Sequence, residues 1–240
     1  FAEKSIQDPG EILQRYPDVK LIDDYQTFRK DTMHREKQCV IFARKRGAWL
    51  KPFHCYHQNE ESPHFSLDLA EGCGFDCVYC YLQSYLNSGA LVLFVNRDGL
   101  EAELQSLGSN QVWISSDILT NSLLAEEHHP MIAWLSHRLP QQATLELRTK
   151  SANVEILNDP KISREQLVVA WSLSPESVVT NYEYGTSTLR QRLNSARRAL
   201  ELGFRIAFHF DPVFHFEGWQ EAYAKLFREL QEFRSEKIAF

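Results

Sequence analysis

Three cysteines fall within eight residues, in the segment EGCGFDCVYCYL at 71–82. Cys73, Cys77 and Cys80 have the spacing C-x3-C-x2-C, and Gly72 and Gly74 flank the first of them. Three thiolates on one tight loop can hold three irons of a [4Fe–4S] cube and leave the fourth iron without a protein ligand. An open metal position is where a small molecule binds, by the logic that governs catalytic metal sites. The glycines let the backbone wrap closely around a bulky inorganic core. The alternative is a structural zinc site with His54, His57, His64 or Cys55 as the fourth ligand. Zinc sites usually come as two separated pairs of ligands, and no second pair is present. No fourth cysteine follows, which argues against a ferredoxin loop.

The rest of the chain supplies a fold for that loop. Of its 240 residues, 43% are hydrophobic, enough to bury a sizeable core and to exclude a disordered chain. The net charge is −6, so nucleic acid would have to be met by a local basic patch. Five cysteines, an odd number, and a polar N-terminus without a secretory leader point to a reducing compartment and a cytoplasmic protein. No apolar run is long enough for a membrane helix. Phe1 is read as not the native start.

Residues 1–60 read as an N-terminal extension, with a first strand at Cys39–Ala43 in which Cys39 is a buried hydrophobe. From 61 to 240 short apolar strands alternate with helical stretches. The strands are Phe65–Leu69, Leu91–Val95, Gln111–Ser115, Ala143–Arg148, Leu167–Leu173 and Arg205–Phe210. Helices are expected from Val78–Tyr85, Leu100–Leu107, Pro130–Arg138, Val154–Leu157, Leu189–Leu202 and Gly218–Phe233. Six strand-then-helix units in succession imply an α/β fold with a parallel sheet and right-handed crossovers, either an open sheet or a partial barrel. Ligands in either case gather at the C-terminal ends of the strands. Ile238–Phe240 looks like the start of another strand, as if the C-terminal part were missing.

The cysteine spacing, on the loop after the first strand of the series, resembles the radical S-adenosylmethionine (SAM) superfamily. The stretch CVYCYLQSYL is similar to that of its spore photoproduct lyase-like branch. So, in the same order, are Ser115–Ile118, Arg148–Lys150, Trp171–Leu173, Asn181–Ser187 and Glu217–Trp219. The resemblance covers roughly residues 36–235. It implies a partial (β/α)6 barrel with the cluster on Cys73, Cys77 and Cys80 and S-adenosylmethionine on Ser116, Lys150 and Ser172. It implies reductive cleavage of that cofactor to a 5′-deoxyadenosyl radical, which abstracts hydrogen from a thymine photoproduct in DNA. Damaged DNA and a low-potential flavodoxin- or ferredoxin-type electron donor would be the partners. Tyr79 and Tyr81 match tyrosines near the cofactor and the radical relay, although Tyr79 could equally be packing beneath the cluster. Ile114 stands where the family has a cysteine that returns the closing hydrogen atom. That departure leaves open a different substrate, a small molecule or a nucleoside. A non-catalytic metal-binding module is the alternative from another class.

Other features read more plainly. Glu183 with Arg192 looks like a structural pair, and Trp113, Trp171 and Trp219 like core. His128 and His129, before Pro130, read as a solvated helix start. Arg44, Lys45 and Arg46, with Lys51, form a basic cluster that could touch phosphate.

Overall fold

The computed structural model describes residues 1–7, 9–29, 36–53, 63–108, 110–116, 118–233 and 238. The larger of its two main sheets contains β4 (Leu50–Pro52), β5 (His64–Leu67), β9 (Val112–Ser116), β10 (Ala143–Thr149), β11 (Leu167–Ser172) and β13 (Arg205–His209). They lie in the order β13-β11-β10-β9-β5-β4, with every pair parallel except β4 with β5. Ile238 forms a further parallel bridge to Ile206, beside β13, as the sequence there suggests. Ser116 stands level with Leu67 and Leu147, and Ser172 with His209. The segments after these strands therefore emerge along one edge, where a parallel sheet presents its ligands.

Alternation along the strands creates two faces. Leu145, Leu147, Val169, Trp171 and Ile206 belong to the main core, with Leu193, Ala196 and Ala199 of α7 (Leu189–Glu201). Val168, Ala170 and Ala207, with Trp113 against them, cover the other face. Helix α7 opens with a capping box between Thr188 and Gln191, and the chain turns out of it at Gly203, at φ +94°. The helical stripe expected from Leu189, Leu193 and Ala196 is seen. Leu200 is only half-buried, and Arg192 lies on the buried side instead, fully covered.

The second sheet is where the sequence reading needs correction. Leu91–Val95 reads as the second strand of the barrel series, but β8 (Leu91–Phe94) lies in another sheet. It pairs in parallel with β3 (Val40–Ala43) and antiparallel with β6 (Ala70–Glu71). The N-terminal β1 (Ala2–Glu3) and β2 (Leu21–Ile22) complete the order β2-β1-β3-β8-β6. All four residues of β8 are buried, so its apolar run carries no sign of which sheet receives it. The unit of β8 and α3 (Leu100–Gln105) is thus inserted into the first crossover, between β5 and β9. Two helices had no clear sequence signal, α4 (Ser122–His128) and α6 (Glu176–Tyr182). The helix expected from Val78 begins only at α2 (Leu82–Tyr85). Among the described residues no helix is long and apolar enough to cross a membrane.

Gly72 joins β6 to the cysteine loop at φ +82°, and its N–H donates to the Leu119 carbonyl at 2.8 Å. A Cβ added there would lie 2.0 Å from the Ala90 carbonyl oxygen. Gly72→Ala is therefore expected to destabilise the fold by at least about 2 kcal/mol, from the left-handed backbone and the clash together. Chemical denaturation checks this, and Gly108→Ala, whose Cβ would meet nothing within 4 Å, serves as the control.

Candidate functional site

The cysteine loop is held from both sides. On one side the Lys37 ammonium donates to the Phe75 carbonyl at 2.9 Å and pairs with Asp76 at 2.5 Å. On the other, β7 (Asp76–Cys77) pairs antiparallel with β12 (Glu183–Tyr184), with Cys77 opposite Glu183. Within the loop, the Cys80 N–H and the Gln83 side-chain amide both donate to the Cys77 carbonyl, at 3.0 and 2.7 Å. This pairing is why helix geometry starts after Tyr81.

Glu183 and Arg192 form a fully buried ion pair at 2.5 Å. The guanidinium also donates to the carbonyls of Ser172 and Ser187, both at 2.8 Å, and to Thr186 Oγ1 at 2.7 Å. Glu183 accepts further hydrogen bonds from Tyr79 (2.5 Å) and Ser174 (3.1 Å). Burial alone would raise the Glu183 carboxyl, but the Arg192 charge and the Tyr79 hydrogen bond outweigh it and hold it below the carboxylate range. The same environment, burial first and then Glu183, pushes the Tyr79 phenol far up, so it stays a protonated donor. Its ring lies 4.9 Å from that of Phe214 and 5.9 Å beneath the Lys150 ammonium.

A cavity of about 690 Å³ opens beside the loop. It brings together Cys73, Cys80, Tyr79, Tyr81, Lys150 and Ser172. Cys77 is buried behind it. The Lys150 ammonium makes no hydrogen bond or ion pair among the described residues, its contact being the Tyr79 ring. Tyr81 donates to the Ile118 carbonyl at 2.6 Å, and burial pushes its phenol up to about 12. Ser116 is not in the lining: its hydroxyl shares a hydrogen bond with Ser122 at 2.9 Å.

Strand alternation explains that placement and moves Ile114 as well. Val112, Ile114 and Ser116 are on one side of β9, and Val112 and Ile114 join the main core. Ile114 is fully buried there and turned away from the cavity. Ser115 points the other way, to His64 (2.8 Å) and Glu146 (3.4 Å).

The sequence reading missed the polar wall built on β10. Glu146 and Arg148 share one face of β10, Lys150 follows the strand directly, and Arg148, Thr149 and Lys150 line the cavity. Glu146 accepts from Arg148 (3.1 Å), Trp113 (2.7 Å) and His209 (2.6 Å). Burial would raise its carboxyl, but the His209 hydrogen bond and the Arg148 charge hold it down at about 2. Trp113, read as core, is thus a polar anchor too. The signal was present in the period-two spacing of ELRTK. Asn121 also lines the cavity, caps α4 and accepts from Thr149 at 2.8 Å.

The donor set fits an iron–sulfur cluster. Burial pushes the Cys73 thiol up to about 11 and the Cys77 thiol up to about 12, so thiolates here need a cation beside them. Three thiols spaced C-x3-C-x2-C on one loop suit the corners of a polynuclear core. His64, a candidate zinc ligand, is engaged with Ser115, and His54, Cys55 and His57 lie outside the described residues. The buried Thr120 Oγ1, in the cavity wall, has no partner among the described residues, and with Lys150 and Ser172 it offers polar groups to a second ligand beside the cluster.

The spore photoproduct lyase family model matches residues 49–239. The spore photoproduct lyase of Geobacillus sp. (strain Y412MC61) is 27% identical over 184 residues, covering 73% of this chain and 53% of the relative. That of Bacillus subtilis (strain 168) is 26% identical over the same length and shares. The chain thus spans about half the length of the curated relatives it matches. A solved spore photoproduct lyase complexed with dinucleoside spore photoproduct aligns with a TM-score of 0.84 at 21% identity, covering 96% of this chain and 72% of that one. A doubly substituted form with bound AdoMet and dinucleoside spore photoproduct aligns at 0.79 and 21%, covering 92% and 68%. These likenesses support the partial barrel, and the family match extends over most of the sequence. The chain belongs to the spore photoproduct lyase family, in the radical SAM superfamily.

Proposed function

We propose that this chain binds a [4Fe–4S] cluster through Cys73, Cys77 and Cys80 and S-adenosylmethionine in the adjoining cavity, and acts on a thymine photoproduct in DNA. The observation that carries the proposal is the cavity itself, where two of the three loop cysteines face Lys150 and Ser172. Bound there, a reduced cluster and S-adenosylmethionine supply a 5′-deoxyadenosyl radical that takes hydrogen from the substrate. The protein supplies position and shielding. Lys150 offers its ammonium to a carboxylate, Ser172 and Thr120 offer hydroxyls, and Arg148 offers a cation that Glu146 keeps in place. Tyr79, hydrogen-bonded to Glu183, fixes the loop and lies under Lys150, which favours a positioning role. Tyr81 is half-exposed at the cavity mouth, where a relay to substrate would need it. Ser116 would act through Ser122 and the start of α4 rather than by direct contact.

A lyase solved with dinucleoside spore photoproduct supports that substrate class. A second reading, hydrogen abstraction from a different substrate, is favoured by one observation: among the described residues that line the cavity, the only cysteines are Cys73 and Cys80, both assigned to the cluster. The electron would come from a flavodoxin- or ferredoxin-type donor, in the cytoplasm.

Anaerobically reconstituted protein is expected to carry about four irons and four sulfides per chain. Cys73→Ala, Cys77→Ala and Cys80→Ala should each lose them, and Cys39→Ala and Cys55→Ala should keep them. Stoichiometric zinc without sulfide would leave only a metal-binding module. Lys150→Ala should weaken S-adenosylmethionine binding by about tenfold or more, the worth of a charge-assisted hydrogen bond. Equilibrium binding to the cluster-loaded protein measures this, and unchanged affinity would remove Lys150 from the site.

A further inference from the structure

One face of the larger sheet carries a charged layer that the strand-end groups Lys150 and Ser172 do not use. Arg148 precedes Lys150 by two residues on β10 and stands level with Ala170, while Glu146 stands level with Ser115 and Val168. On the same face Trp113 packs against Val168, Ala170 and Ala207. Arg148 is the member of this layer that lines the cysteine cavity.

Glu146 organises the layer. Its side chain is 2% exposed and accepts from three strands: from Arg148 Nε at 3.1 Å, His209 Nε2 at 2.6 Å, Trp113 Nε1 at 2.7 Å and Ser115 Oγ at 3.4 Å. Only the Nε–H of the Arg148 guanidinium is spent on it. A carboxylate 2.6 Å from His209 Nε2 calls for the ring proton on that nitrogen, which then has no lone pair to offer. The Arg148 Nη2 group, 3.5 Å from it, therefore finds no acceptor there. Both terminal nitrogens of Arg148 are thus without an acceptor among the described residues, on a side chain that is 31% exposed.

The charge of Arg148 is balanced inside the layer, because Glu146, held down at about 2, is ionised. The other charged groups among the described residues of the cavity wall are Lys150 and Asp211, one of each sign. Asp117 lies outside the described residues and adds a carboxylate rather than a cation to this segment. An anion would gain little net attraction from such a wall. A neutral acceptor, such as a carbonyl oxygen, meets donors already held in place and gives up no charge hydration to reach them. Rings stand at the same cavity. Phe53, Tyr81 and Tyr85 line it, and the Arg148 charge acts on the Tyr81 phenol. Fixed donors with aromatic rings beside them suit a flat heterocycle that presents carbonyl groups.

We propose that Arg148 is a specificity-determining residue that donates to the carbonyl edge of a pyrimidine base, with Glu146 as the residue that positions it. The inference rests on the reading that Lys150 and Ser172 take the cofactor, and it assigns a group of this chain to the substrate. The base arrives in a DNA photoproduct or as a free nucleoside, and both present the same edge.

Calorimetric titration of the protein loaded with cluster and S-adenosylmethionine, without reductant, tests this. The probes are thymidine, a dinucleoside spore photoproduct, and the same photoproduct joined by its phosphodiester. Arg148→Gln should weaken all three by a similar factor, about tenfold or more, while carrying wild-type iron and sulfide, which shows that it folds. Arg148→Lys, which keeps a donor but not the fork, should retain part of the affinity. Glu146→Gln should weaken the probes too, yet cost little more in the Arg148→Gln background, because it acts through that side chain. Additive losses would reduce Glu146 to a structural role and overturn its part. A loss confined to the phosphodiester form would place the phosphate on Arg148 and overturn the base assignment. Unchanged affinity in Arg148→Gln, or no binding of any probe to the wild type, would overturn it as well. Turnover is read apart from binding. Binding that depends on Arg148 without turnover of the photoproduct would keep the base site and refute the photoproduct as substrate. Turnover with binding indifferent to Arg148 would keep the substrate and refute the base site.

Discussion

The buried pair of Glu183 and Arg192 ties the cysteine-loop end of the barrel together. Both side chains are wholly shielded from water, a costly arrangement unless every donor and acceptor is used. Arg192 reaches the end of β11 through the Ser172 carbonyl and the loop before α7 through Ser187 and Thr186. Ser187 in turn meets the segment after β10, its N–H donating to the Lys150 carbonyl at 3.2 Å. Glu183 pairs through its backbone with Cys77 and through its carboxylate with Tyr79. One ion pair thus fixes the cysteine loop relative to the two strand ends that carry Lys150 and Ser172. Removing one partner of such a pair typically costs about 3–5 kcal/mol. Here the damage would fall first on the geometry of the site.

The same locality explains what could be read from the sequence. The cysteine loop, Lys150 and Ser172 are strand-end features, and strand ends follow from apolar runs such as LVVAWS and the alternation in ATLELRT, whereas the choice of Lys150 and Ser172 as candidates came from the family resemblance. The pairing of Glu183 with Arg192 was expected, but the burial of Arg192 was not, because it stands in sequence with Arg190, Arg197 and Arg198 on a helix whose charged residues ordinarily face water. The insertion of β8 was not legible. Its four buried residues satisfy any two-sided sheet, and its partner is chosen by tertiary contacts with β3 and β6. Helix α4 is short and rests on the Asn121 cap and the Glu126 carboxylate, which accepts from the Met131 and Ile132 N–H groups. Neither gives a strong periodic signal.

Alternation also decides the finer chemistry. A one-residue difference along β9 separates Ile114, in the helix-side core, from Ser115, on the polar side with His64 and Glu146. Motif order alone places residues along a strand but not on its two faces. Ser116 and Ile114 both fall on the face away from the cavity, and the cavity is lined instead by the loop that follows this strand, from Ile118 to Asn121. On the polar side, Glu146 gathers Arg148 and His209 into a charged wall beside the cavity.

Transfer of deuterium tests the account most directly. The reduced, cluster-loaded protein would be given S-adenosylmethionine and a dinucleoside spore photoproduct deuterated at the carbon from which hydrogen is taken. The account predicts 5′-deoxyadenosine carrying that deuterium, and none from Cys80→Ala. A protein with a complete cluster that forms no 5′-deoxyadenosine would contradict the radical assignment, and 5′-deoxyadenosine without label would contradict the photoproduct as substrate.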